Sequence, residues 1–194
     1  MRIGVLGGSF NPPHIGHLIV ASDAFEALTL DLLLVVPASA NPLKGEEAAG
    51  STAAQRLEMV RLTFGADPRF EVSSMELERG GLSYTVDTLE TLKELYPDAE
   101  LSLLMGMDSH RTLDRWKRPE RIRELAEVAV LARGGNDDHA VPPGVTIVTT
   151  RRVDVSASEI RARVAAGKSI RGFVAESVER YISAAELYRA SAAR

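Results

Sequence analysis

The sequence predicts an α/β fold: a Rossmann-like, doubly wound parallel sheet flanked by helices, with a small C-terminal helical part. Three observations predict it. Apolar, β-rich runs alternate with helical runs along the 194 residues. Several of those runs are almost continuously apolar, as strands buried on both faces are. The polar and cationic residues that stand out follow the ends of the runs, where ligands of such sheets bind.

The elements follow in order. RIGVLG leads into a helix from about Ile15 to Leu28. DLLLVVP (Asp31 to Pro37) is a second buried strand. A polar loop, 38–50, ends at Ser51 or Thr52, either of which can cap a helix over Ala53 to Phe64. RFEVSSMEL (Arg69 to Leu77) alternates as a strand does. Tyr84 to Leu95 is helical and stops before Pro97. ELSLLMG (Glu100 to Gly106) is a strand. A short helix follows Asp108, and another spans Pro119 to Leu125. VAVLAR (Val128 to Arg133) and VTIVTT (Val145 to Thr150) are the last strands. Helices over Ala157 to Ala166 and Val174 to Ala184 close the chain.

The length suits one domain over 1–194, with its helical part from about 156 to 194. Hydrophobic residues make up 45%, enough for a core. No cysteine is present, so disulfides and thiolate metal sites are excluded, which fits a cytoplasmic protein. Met1-Arg2 runs into a strand rather than a secretory signal. The apolar run ending at Pro37 is broken by Asp31 and too short to span a membrane. A net charge of −4 gives no global basic field, so no nucleic-acid partner is expected. Cationic groups for any anionic ligand must therefore gather locally.

Gly7 to His17 read GGSFNPPHIGH, directly after the first strand. Gly7 and Gly8 allow backbone N–H groups to approach an anion closely. Pro12 and Pro13 can occupy a first helical turn, with Asn11 as its cap. His14 and His17, three apart, share a face if the helix has begun. A helix N-terminus carrying two imidazoles suits a polyphosphate. The string is neither a Walker A loop nor a G-x-G-x-x-G fingerprint. Near the other end, VSASEIR (155–161) places Ser156 and Glu159 as a capping box, with Gly167 just past the helix end. It also puts the Ser158 hydroxyl and Arg161 near a second helix N-terminus.

H14-I15-G16-H17 resembles the H-x-G-H signature of the nucleotidyltransferase superfamily. VSASEIR is similar to the I-S-S-T-x-I-R element of bacterial adenylyltransferases, with Val155, Ala157 and Ser158 at the departing positions. SYTVDTL (Ser83 to Leu89), the G-x-D…W element GMDSHRTLDRW (Gly106 to Trp116) and the loop PASANPLK (Pro37 to Lys44) resemble nicotinate-nucleotide adenylyltransferases. In that loop Leu43 stands where the family has His, so only Lys44 carries over. The resemblance runs from Met1 to about Tyr188.

It implies that ATP and nicotinate mononucleotide give nicotinate adenine dinucleotide and pyrophosphate, a step of NAD biosynthesis, with Mg²⁺ carried by the ATP phosphates and no protein metal site. It implies catalytic roles for His14, His17, Lys44 and Arg161. Gly7, Gly8, Ser9, Phe10, His14, His17, Gly106, Asp108, Ser158 and Arg161 would bind ATP. Ser9, Phe10, Lys44, Thr85, Trp116 and Arg133 would bind the mononucleotide, with Trp116 stacked on the pyridine ring and Thr85 near its carboxylate. Asp108 and Thr85 can equally cap helices, Trp116 can be core, and Arg133 can be solvated. A homo-oligomer is compatible with the sequence. The siblings using nicotinamide mononucleotide or phosphopantetheine, and a non-catalytic nucleotide-sensing module, are the other readings.

Overall fold

A computed structural model describes residues 1–40, 50–134 and 144–190. The strands are β1 (Arg2–Gly8), β2 (Leu32–Pro37), β3 (Phe70–Val72), β4 (Glu100–Gly106), β5 (Glu127–Arg133) and β6 (Val145–Thr150). They form one sheet in the order β3-β2-β1-β4-β5-β6. Every neighbouring pair is parallel. The chain winds outward from β1 through β2 to β3, then crosses to β4 on the other side of β1. The topological switch point therefore lies between β1 and β4, and their carboxyl ends flank a crevice.

The period of two along each strand sorts the core. Ile3, Val5, Leu34, Val36, Leu101, Leu103, Val128 and Val130 face one side. There they meet Val86, Leu89 and Leu92 of α4 (Thr85–Leu95) and Ile122 and Leu125 of α6 (Pro119–Leu125). Leu6, Leu33, Val35, Leu104 and Ala129 face the other side. They meet Ala21 and Ala24 of α1 (Ile15–Ala27) and Val60 and Phe64 of α2 (Ala53–Phe64). Both faces are covered, which is why the strands are continuously apolar. A third cluster joins Met59 of α2 to Ile160 of α7 (Ala157–Ala165) and to Val178 and Ile182 of α8 (Glu176–Ala184).

Two expectations are corrected. The run from Arg69 to Leu77 is not one strand: β3 ends at Val72, and α3 (Met75–Arg79) follows. Ser73 N still donates to Val35 O (3.0 Å), but Ser73 Oγ accepts from Met75 N and Ser74 Oγ donates to Glu78 Oε1. Those serine hydroxyls favour a turn over a continued ladder. Asn11 does not cap α1; His14 occupies the N-cap position, so Pro12 and Pro13 precede the helix. The residue before a proline avoids the helical region, so the helix cannot start ahead of Pro13, and His14 itself is extended at φ −145° and ψ 171°. Two hydroxyl caps follow the sequence. Thr52 Oγ1 accepts from Gln55 N at 3.2 Å, and Ser156 Oγ from Glu159 N at 3.1 Å. Gly167, at φ +67°, ends α7 with Gly167 N and Lys168 N donating back to Val164 O and Arg163 O. No described helix is long and apolar enough to cross a membrane.

Candidate active site

The crevice at the switch point opens into a cavity of about 980 Å³. Gly7, Gly8 and Ser9 line it from the end of β1, His14 and His17 from the start of α1, and Gly106 and Asp108 from the end of β4 and the short α5 (Met107–His110). Thr85 and Trp116 line one flank, and Ser156, Ala157 and Ser158 at the start of α7 line the other. The N-termini of α1 and α7, among other helix starts, and the two central strand ends thus face one space, a setting that favours an anion.

The glycines report on what that space is for. Cβ atoms added at Gly7 and at Gly106 would meet nothing within 4 Å, and neither residue has a positive φ. Neither packing nor backbone conformation within the described protein demands glycine at these two strand ends. Both look into the cavity, so a side chain there would occupy ligand space. Gly8 and Gly16 differ. A Cβ at Gly8 would lie 3.0 Å from the Phe10 ring, and one at Gly16 would lie 3.0 Å from His14 Nδ1. The glycine between the two histidines therefore lets the His14 ring lie against the helix backbone.

The imidazoles of His14 and His17 are stacked, with centroids 3.7 Å apart and planes at 29°. His14 is buried and His17 half-buried. His17 Nδ1 accepts from His14 N at 3.1 Å. In the neutral ring this acceptor role places the proton on Nε2, which becomes a donor. Desolvation, and then the neighbouring His14, push the His17 pKa down to about 3. Phe10 sits at φ 45°, an uncommon conformation for a non-glycine residue. Its ring packs edge-on to His17 at 5.1 Å and to Phe64 at 6.3 Å. At 3% exposure its side chain belongs to the core, which leaves its backbone as the part available to a ligand.

Arg161 does not line the cavity in this structure. Its Nη1 donates to Asn11 O at 2.7 Å, tying the second motif to the first. Trp116 is half-buried against the core, and its Nε1 donates to Thr112 Oγ1 at 3.4 Å. It is thus both core-packed and cavity-lining. Thr85 is the first residue of α4 and Tyr84 its N-cap; Asp108 lies inside α5 with Gly106 as N-cap, so neither Thr85 nor Asp108 is a cap. The Asp108 side chain is fully exposed, 3.7 Å from Arg111. Arg133 ends β5 in register with Thr150. Lys44 and Leu43 lie outside the described residues.

The structure adds residues that the sequence analysis passed over. Glu76 lines the cavity, is buried, and accepts from Thr88 Oγ1 at 2.6 Å. Arg115, Lys117 and Arg151 bring cationic side chains to the rim. Lys117 Nζ lies 4.4 Å from the Tyr84 ring centroid and 3.0 Å from Asp87 Oδ2. Arg56, in α2, is 3% exposed and bonded to three carbonyl oxygens beside the cavity. Its only sequence signal is its place three and four residues before the fully buried Met59 and Val60, on the apolar stripe of the helix.

Comparison with known proteins gives a consistent picture. The cytidylyltransferase-like family model matches residues 5–163. A Gemmatimonas aurantiaca protein named "Probable nicotinate-nucleotide adenylyltransferase" is 47% identical over 198 residues, covering 97% of this chain and 93% of its own length. A Thermus thermophilus protein of the same name is 44% identical over 189 residues, covering 97% of this chain and 100% of its own. Among solved structures, Plasmodium falciparum nicotinic acid mononucleotide adenylyltransferase complexed with NaAD superposes with a TM-score of 0.76. It is 19% identical and covers 96% of this chain and 97% of its own, a likeness of fold.

Proposed function

This chain belongs to the cytidylyltransferase-like family and, within it, to the nicotinate-nucleotide adenylyltransferases, and we propose that it joins the adenylyl group of ATP to nicotinate mononucleotide. The products are nicotinate adenine dinucleotide and pyrophosphate, a step of NAD biosynthesis. The observation that carries this reading is the pair of uncrowded glycines, Gly7 and Gly106, at the two strand ends flanking the switch point, beside stacked His14 and His17.

The chemistry needs little from the protein beyond placement and charge. An oxygen of the mononucleotide's 5′-phosphate attacks the α-phosphorus of ATP in line. A new P–O bond forms, the bond from Pα to the bridging oxygen breaks, and pyrophosphate leaves with that electron pair. The attacking phosphate is already ionised at neutral pH, so no strong base is required. Catalysis then rests on alignment and on donors aimed at the developing charge. In this reading neutral His17 donates from Nε2 to the α-phosphate, and His14 donates beside it. Gly7, Gly8, Ser9 and the backbone of Phe10 approach the phosphates of both substrates. Ser158 and Arg161 bind the β- and γ-phosphates, with Arg161 exchanging its bond to Asn11 for the departing pyrophosphate. Gly106 and Asp108 meet the adenosine ribose.

Trp116 stacks on the pyridine ring, and Thr85 with the first N–H groups of α4 receives the carboxylate. Lys44 and Arg133 hold the mononucleotide phosphate. Mg²⁺ would be carried by the ATP phosphates, since it commonly keeps phosphate oxygens and water. It supplies charge neutralisation there. The chain acts as one domain in the cytoplasm, with the helices after 156 closing the phosphate side.

The test is pyrophosphate release with Mg-ATP and, in parallel, nicotinate mononucleotide, nicotinamide mononucleotide or phosphopantetheine. Strong preference for nicotinate mononucleotide is expected. Release with phosphopantetheine alone overturns the reading of the pyridine subsite. ATP binding without release from any of the three overturns catalysis.

A further inference from the structure

Arg56 is the most deeply buried cation among the described residues, and its bonds are unusual. Nη1 donates to Ser9 O at 2.9 Å and to Ala38 O at 2.6 Å, and Nη2 donates to Ser39 O at 2.8 Å. No acidic side chain among the described residues forms an ion pair with it. A guanidinium buried without a carboxylate is costly, and among the described residues its hydrogen bonds all run to carbonyl oxygens. Those carbonyls belong to two separate segments, the turn after β1 and the chain leaving β2.

Each carbonyl fixes the direction of the next amide. In a trans peptide the C=O of one residue and the N–H of the next point opposite ways. Gripping Ser9 O turns Phe10 N–H away from Arg56. Gripping Ala38 O turns Ser39 N–H away, and it donates to Ser83 Oγ at 2.9 Å. Ser83 N in turn donates to Ala40 O at 2.8 Å. Ser83 stands two residues before Thr85, at the entrance to α4. One side chain thus connects the phosphate turn of β1 to the loop that opens the pyridine side. The Thr52–Gln55 capping box, with Thr52 N donating to Gln55 Oε1 at 2.8 Å, fixes the helix start that carries it.

We propose that Arg56 is a positioning residue that registers the β1 phosphate turn against the Ser83–Thr85 loop, so that the two bound substrates meet in line. This rests on the two-substrate reading of the cavity. Arg56 touches neither substrate, so its loss disturbs alignment more than binding. A misplacement on the order of 1 Å lowers turnover about 10²-fold.

The experiment compares wild type with Arg56→Met, Arg56→Lys, Ser83→Ala and Arg56→Met/Ser83→Ala. Steady-state constants for both substrates are measured, together with amide hydrogen exchange at Ser39 and Ser83. Arg56→Met is expected to lower kcat about 10²-fold while KM for each substrate moves less than about threefold. Arg56→Lys restores part of kcat, because an ammonium reaches fewer of the three carbonyls. The double variant is expected to be little worse than Arg56→Met, since Ser83 acts through the segment that Arg56 holds. Exchange at Ser39 and Ser83 rises about tenfold with core amides such as Leu34 and Leu103 unchanged. Additive losses, KM changes that account for the whole effect, or unchanged exchange overturn the proposal. If Arg56→Met does not fold, Arg56→Lys and Ser83→Ala carry the same readouts. A wild-type chain that releases no pyrophosphate overturns the reaction, while the exchange data still decide the Arg56 link.

Discussion

Tyr188 Oη donates to Asn11 Oδ1 at 2.6 Å, a bond that spans 177 positions and ties the end of the described chain to the loop before the two histidines. Asn11 Oδ1 also accepts from Ser51 Oγ at 2.6 Å, and Asn11 O accepts from Arg161. One asparagine thus gathers the C-terminal tail, the entrance to α2 and Arg161 of α7. Tyr188 stands at φ 61° with its side chain against Gly50, where an added Cβ would lie 2.8 Å from the ring.

Tyr188→Phe removes that donor and keeps the ring. A loss of about 1 kcal/mol is expected from the hydrogen bond, read from urea unfolding at neutral pH. Burial raises the Tyr188 pKa above its ordinary value, so the folded state holds the phenolic proton longer than the unfolded chain. Stability linked to this group is full below the unfolded value of about 10 and is lost as pH rises toward the folded one. The phenylalanine variant should lack that part of the alkaline loss. An identical alkaline slope in both proteins would contradict this assignment.

His17 sets the opposite slope. Its folded pKa of about 3 lies below the ordinary imidazole value of 6.5. Between those two values the unfolded chain binds the proton and the folded chain does not. Stability linked to His17 is therefore present above pH 6.5 and is lost as pH falls toward 3. In nuclear magnetic resonance the ligand-free His17 ring should remain neutral, with its proton on Nε2, from pH 8 to pH 5. His17→Ala should flatten the acid slope of stability and lower kcat about 10²- to 10³-fold, as loss of a donor to transition-state charge does. Titration of His17 near 6.5 would show that its surroundings do not act as described.

Much of this arrangement was legible along the chain, and the reasons differ by residue. The β1, β2, β4 and β5 strands are buried on both faces, so their composition alone announces a parallel sheet. The histidines, Gly7, Gly106 and Ser158 sit at strand ends and helix starts, where local sequence carries the signal. The 69–77 run misleads because Ser73 and Ser74 satisfy backbone and side-chain partners within a few residues. Arg56 was illegible for a different reason. Its burial depends on carbonyls 17, 18 and 47 residues away, and an arginine within a helix reads as a solvated face. The Asn11–Tyr188 bond has no local signal at all.

Gly16 gives a test that separates geometry from stability. A Cβ at this position meets His14 Nδ1 at 3.0 Å, tighter than most real contacts, and Val153 Cγ1 at 3.6 Å. The ring of His14 is wedged between that backbone and His17, so it must shift by a few tenths of an ångström. Alanine is a better helix former than glycine by about 1 kcal/mol, which offsets the strain. Gly16→Ala should therefore keep a near-normal melting temperature and lose about tenfold or more in kcat. Normal turnover in a folded variant would show that the His14 position is not critical.

Trp116 tests the proposed division of the cavity between the two substrates. Its ring is half-buried, bonded to Thr112, and lines the cavity together with Thr85. Stacking on an aromatic ring contributes about 0.5–1.5 kcal/mol beyond buried area. Trp116→Ala should raise KM for nicotinate mononucleotide about tenfold while leaving KM for ATP within about twofold. Trp116→Phe keeps a ring but loses the Nε1 donor to Thr112, so its KM should fall between the two. Both variants should be read beside their melting temperatures, because the indole also covers the core that includes Leu113 and Ile122. A loss shared equally between the substrates would move Trp116 from the pyridine subsite to a general packing role, and a rise in KM confined to ATP would reverse the assignment of the two flanks.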